Sequence, residues 1–147
     1  MSWFSFALLA AVLWGGSYAM YEQLLKTVSS AACMLFTACG TLFVYLAFAL
    51  HGGTLSHDWQ IVRKGGTETK MILAIICVNA LANLVLLVSM KAKNATAAGL
   101  VEIAYPLFTA LFVWIFYRQS EMSWRTALGG LLIMAGVTCI YYFERTA

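Results

Sequence analysis

Glu102 lies in the stretch Ala95–Tyr117, which is otherwise uncharged and long enough to cross a bilayer. A carboxylate at that depth costs several kcal/mol, about 3 on insertion scales, so such residues normally face a bundle interior or a water-filled cavity. Proton exchange and cation binding are the chemistry open to it. Pro106, one helical turn further on, has no N–H, so the Glu102 carbonyl loses its helical hydrogen bond. Side-chain and backbone acceptors then coincide at one level, with Pro106 as the helix break.

Other polar and aromatic residues recur at helical spacing. Trp14, Tyr18 and Glu22 are i, i+4, i+8 and share one helix face beside the Gly15–Gly16 pair. Such a stripe can hold an organic cation through its ring faces, ending in a carboxylate. The competing reading is an interfacial aromatic belt, for which Trp14, eleven residues from Trp3, lies too deep. Tyr105, three residues after Glu102, is expected to bring its ring near the carboxyl group. Asn79 and Asn83 are i, i+4 on one span. They either line a cavity or bond to neighbouring helices, the favoured expectation, since an amide in hydrocarbon must find a partner. Gly129 and Gly136, with Ala127 and Gly130 adding small residues, predict close helix packing.

The elements that must position these residues follow from composition. The chain is 63% hydrophobic and 10% charged over 147 residues, with a mean hydropathy of +0.84, whereas soluble domains carry about 25% charge. Apolar runs of the length a bilayer core requires predict five spans, 3–21, 29–50, 71–90, 95–117 and 126–143, in an all-α integral membrane protein with a single transmembrane domain. The first span lacks a basic n-region and an Ala-x-Ala-like site, so it is expected to be a mature helix rather than a signal peptide. Cys33, Cys39, Cys77 and Cys139 all fall in spans and form no ligand pattern. They act as small hydrophobes.

The longest connection, Gly52–Thr69, surrounds Trp59, Ile61 and Val62 with polar residues. An ordinary polar linker is the favoured expectation there, a short interfacial helix with Trp59 at headgroup level the other. His51 and His57, without a cysteine or second carboxylate at ligand spacing, do not predict a metal site, and no cofactor is expected. Lys and Arg number five on the side of the N-terminus (Arg63, Lys64, Lys70, Arg118, Arg125) and four on the other (Lys26, Lys91, Lys93, Arg145). That leans towards a cytoplasmic N-terminus and also suits insertion in both orientations. The net charge of +3 suits anionic lipid, and no basic cluster is dense enough for nucleic acid.

The run Ala97–Leu111, then Met122-Ser123 and Gly129-Gly130-Leu131-Leu132-Ile133-Met134-Ala135-Gly136-Val137, resembles the last two helices of an EamA-type repeat of the drug/metabolite transporter superfamily. Trp14-Gly15-Gly16-Ser17 resembles the WG motif of the repeat's first helix. Family members usually carry two five-helix repeats in inverted topology, and this chain has room for one. The glutamate that normally precedes the last helix falls at Ser120, beside Glu121. The arginine often found in the second helix has no counterpart, and Glu102 is not a usual feature.

The residues and the resemblance together imply a small proton-coupled transporter, an exporter of a cationic or amphipathic metabolite or drug. In an apolar cavity the ionised carboxyl is disfavoured, so proton and substrate would compete for Glu102. Two copies, possibly antiparallel, would supply the two repeats between which such transporters bind substrate. The alternative is a non-transporting subunit or half-transporter that assembles with a different chain, whose Lys or Arg would pair with Glu102. No paired carboxylates, Ser/His pair or HExxH motif points to an enzyme. A bacterial or archaeal cytoplasmic (inner) membrane is the expected location.

Overall fold

In hydrocarbon an apolar run must satisfy every backbone N–H and C=O within itself, which for a lone segment means an α-helix. The computed structural model describes residues 3–53, 55–119 and 123–146, and among them it contains helices and no strand. In chain order these are α1 (Trp3–Leu24), α2 (Ser30–Gly52), α3 (Leu55–Arg63), α4 (Thr67–Ala92), α5 (Ala95–Glu102), α6 (Tyr105–Tyr117) and α7 (Trp124–Thr146). Five spans result: Trp3–Leu24, Ser30–Gly52, Thr67–Ala92, Ala95–Tyr117 and Trp124–Phe143. At 22 and 26 residues, α1 and α4 measure about 33 and 39 Å, enough to cross a core of about 30 Å. The fourth span, expected over 95–117 with a break at Pro106, is interrupted. It is α5 and α6, separated by a turn at Ile103 and Ala104.

Local chemistry sets the helix ends. Ser29, in extended backbone, accepts a hydrogen bond from the Ala32 N–H at 3.3 Å and starts α2. Asn94 starts α5 in the same way, accepting from the Ala97 N–H at 2.7 Å. Gly53 closes α2 in the left-handed conformation, φ 68°, with its N–H donating to the Leu50 carbonyl. Arg118 closes α6 at φ 54° without being glycine. Its guanidinium carbon sits 5.7 Å from the Trp114 ring centroid, and that cation–π contact offsets part of a backbone cost of about 1–2 kcal/mol.

The polar linker expected at Gly52–Thr69 is corrected by α3. Leu55, Trp59 and Val62 are spaced i, i+4, i+7, which gathers them on one helix face. The polar residues His57, Asp58 and Gln60 fall outside that stripe. Gly65 at φ 68° follows the helix, and the Thr69 hydroxyl donates to the Val62 carbonyl at 2.6 Å, occupying one of the acceptors left open at a helix C-terminus.

The chain divides into two compact units. One is residues 20–91, in which Leu25, Cys33, Leu87 and Met90 are buried. The other joins residues up to 19 with those from 92 onward, so it holds most of α1 together with α5, α6 and α7. Here Ala95, Ala98 and Ala104 are buried. Helix α5 packs on α7, and the Leu107 side chain of α6 lies directly over Gly130 of α7. Small residues at these crossings let the backbones approach, which is how helices gain van der Waals contact in a medium as apolar as their own side chains.

Candidate functional site

The site begins at the end of α5. The N–H that would ordinarily bond to the Glu102 carbonyl belongs to residue 106, which is proline. The Ile103 N–H still makes the α-helical bond to the Gly99 carbonyl at 3.1 Å, and the backbone then tightens, the Ala104 N–H reaching the Val101 carbonyl at 3.2 Å. Helix α6 then restarts with Pro106 in its first turn, where a missing N–H costs nothing. Glu102 is thus the last residue of a half-helix inside an apolar span.

Its side chain is half-buried and accepts a hydrogen bond from the Tyr18 hydroxyl of α1. Gly99, three residues earlier on α5, lets the Tyr18 ring come close. A Cβ there would stand 3.1 and 3.3 Å from Tyr18 Cδ2 and Cε2, so the ring lies flush against the glycine with its hydroxyl extended to the carboxylate. The Trp14 ring meets the Tyr18 ring edge-on, centroids 5.7 Å apart and planes at 62°. Trp14 itself is 53% exposed. Among the described residues no ion pair is made to Glu102. The carboxylate is held by a neutral phenol.

A model of the EamA-like transporter family matches residues 1–142. The chain belongs to the EamA-like transporter family. No match to a curated protein or to a solved structure was found. With five apolar helices, this EamA-like chain is an integral membrane protein of a transporter family. Irregular backbone at membrane depth is tolerated where it is buried in protein or lines a water-filled cavity, and broken helices recur at transporter binding sites. A carboxylate with a phenol bonded to it at such a break can exchange a proton or hold a cation.

The other residues singled out from the sequence are placed differently. Tyr105 opens α6 with its ring 63% exposed. The phenol hydrogen-bonded to Glu102 is that of Tyr18. Asn79 and Asn83 of α4 were expected to bond between helices. Their amides donate along their own helix, to the Ile75 carbonyl at 3.0 Å and the Asn79 carbonyl at 2.8 Å, which satisfies a donor without a neighbouring helix. Both lie in the unit of residues 20–91, as does half-buried Glu22 in the last turns of α1.

Gly129 and Gly136 meet open space: a Cβ on either would find nothing within 4 Å. The close crossing within the EamA-like chain is at Gly130, a quarter-turn around α7. Ser120, the position compared with the family's glutamate before the last helix, lies outside the described residues with its neighbours Glu121 and Met122. Gly99 is a further residue of the site. Its spacing of three from Glu102 was the available signal.

Proposed function

We propose that this EamA-like chain is a proton-coupled exporter of cationic or amphipathic metabolites or drugs, working as a homodimer with Glu102 as the exchange site. The observation that carries the reading is the Tyr18 hydroxyl bonded to a half-buried Glu102 at the break between α5 and α6. A carboxylate held by a neutral donor keeps its charge unspent, whereas one already paired with Lys or Arg does not. A monovalent cation entering from one side neutralises Glu102 while resting on the face of the Trp14 ring, a contact worth about 0.5–2 kcal/mol. A proton arriving from the other side takes the same carboxylate and releases the cation. One proton for one cation leaves the net charge of the site unchanged, so neither half of the cycle buries an uncompensated charge.

Discontinuous helices at the meeting of two inverted repeats supply the substrate site in related architectures, and this chain carries one repeat. A second copy supplies the other. The face of α7 bearing Gly129 and Gly136, where a Cβ would meet nothing within 4 Å, offers that copy a surface of small residues.

The test is substrate-driven pH change in proteoliposomes with tetraphenylphosphonium as the probe cation. Glu102→Gln, which keeps the size and the acceptor for Tyr18, is expected to melt close to the parent chain and to lose the coupled proton movement entirely. Unaltered proton coupling in that variant would sink the reading.

A further inference from the structure

We infer that the end of α2 and the helix α3 form a binding site for an anionic phospholipid, separate from the exchange site. An open cleft of about 580 Å³ lies between them, lined by Ala49, Leu50, Gly53, Leu55, Ser56 and Trp59. Its walls are almost wholly apolar and Trp59 is 61% exposed. Ala49 and Leu50 belong to the last turn of a membrane span, so the cleft opens where hydrocarbon gives way to headgroups. An amphipathic helix at that level lies in the plane of the interface, with tryptophan at headgroup depth.

Charge decides which lipid. Arg63 follows Trp59 by four residues and Leu55 by eight, so it continues the cleft-lining face of α3 one turn, about 6 Å, beyond the indole. Lys64 comes next in the chain, and Lys70 stands in the first turn of α4. Among the described residues none of these three cations is in an ion pair. The nearby acids are Glu68, in the first turn of α4, and Asp58, which flanks the cleft-lining stripe and contacts His57 at 3.3 Å. An acyl chain along Leu50, Leu55 and Trp59 places a phosphate at the Arg63 end. A zwitterionic lipid would bring its own cation there.

The experiment titrates the full chain, in neutral detergent, with dioleoyl phosphatidylglycerol, dioleoyl phosphatidylcholine or glycerol phosphate, reading melting temperature and apparent affinity. Phosphatidylglycerol is expected to raise the melting temperature and the other two to leave it unchanged. Arg63→Gln, an exposed change that leaves the packing intact, should weaken phosphatidylglycerol binding about fivefold, the usual effect of one basic residue near an anionic surface. Lys91→Gln, outside the loop, should not. Trp59→Ala should also lose affinity, judged against its own lipid-free melting curve. Equal stabilisation by phosphatidylcholine, an equal effect of glycerol phosphate, or undiminished binding in Arg63→Gln would each overturn the proposal. So would stabilisation that follows protein concentration rather than lipid, since the cleft would then receive a second copy.

Discussion

Tyr18 and Glu102 are 84 residues apart in the chain and share one hydrogen bond. A bond from a neutral donor to a charged acceptor contributes about 1.5–3 kcal/mol, and its geometry here depends on Gly99 having no side chain. Tyr18→Phe keeps the ring on Gly99 and removes the donor. Gly99→Ala keeps the donor and pushes the ring, because a Cβ at 3.1 Å from Cδ2 forces a shift of a few tenths of an ångström. Both are expected to slow proton-driven efflux of tetraphenylphosphonium from proteoliposomes, Tyr18→Phe by tenfold or more on the energy of that bond. The double variant should be no slower than Tyr18→Phe alone, since the two act on one interaction. Additive losses would mean that Gly99 serves packing rather than the position of the phenol.

At the scale of the elements, the division of the fourth span into α5 and α6 puts the helix break and Glu102 at one level. Pro106→Ala restores an N–H opposite the Glu102 carbonyl and removes a residue that costs about 3 kcal/mol in a helix interior. The variant is expected to gain helicity by circular dichroism, to melt no lower than the parent, and to transport more slowly. Full transport alongside a healed helix would show that the break is incidental. Helix α7 has one packed and one open glycine face. Gly130→Leu should lower the melting temperature, because Leu107 already fills the space over that residue. Gly136→Leu should leave the melt unchanged and reduce the crosslinked dimer, since its surroundings within the chain are open. If both variants melt alike and dimerise alike, the open face has no partner.

For the molecule as a whole, the proposed dimer turns on orientation. Five basic residues against four hold the chain weakly in either sense. Two lysines added to the Gly52–Thr69 loop should fix the N-terminus in the cytoplasm. If the working dimer is antiparallel, activity disappears and returns on coexpression with a chain biased the opposite way. Full activity of the biased chain by itself would mean a parallel dimer or a monomer. Cysteine accessibility at each face, measured in intact cells, reports the orientation independently of transport.

Hydropathy and length by themselves determined the five spans, because the bilayer tests each segment locally: about 20 apolar residues must become a helix wherever they fall. The family was legible for the same reason, since its motifs are runs of small and apolar residues contiguous in the chain, and so was the level of the break, which Pro106 marks. The spacing of Leu55, Trp59 and Val62 already contained α3, though the polar residues around them pointed to a linker. What only the tertiary structure decided is which side chains meet. That Tyr18 rather than Tyr105 holds Glu102, and that Gly130 rather than Gly136 takes the close contact, depends on how each helix is rotated about its axis. Between helices in an apolar solvent that rotation is set by the fit of small residues such as Gly99 and Ala98 against their neighbours. It is a property of pairs of segments, and no single segment carries it.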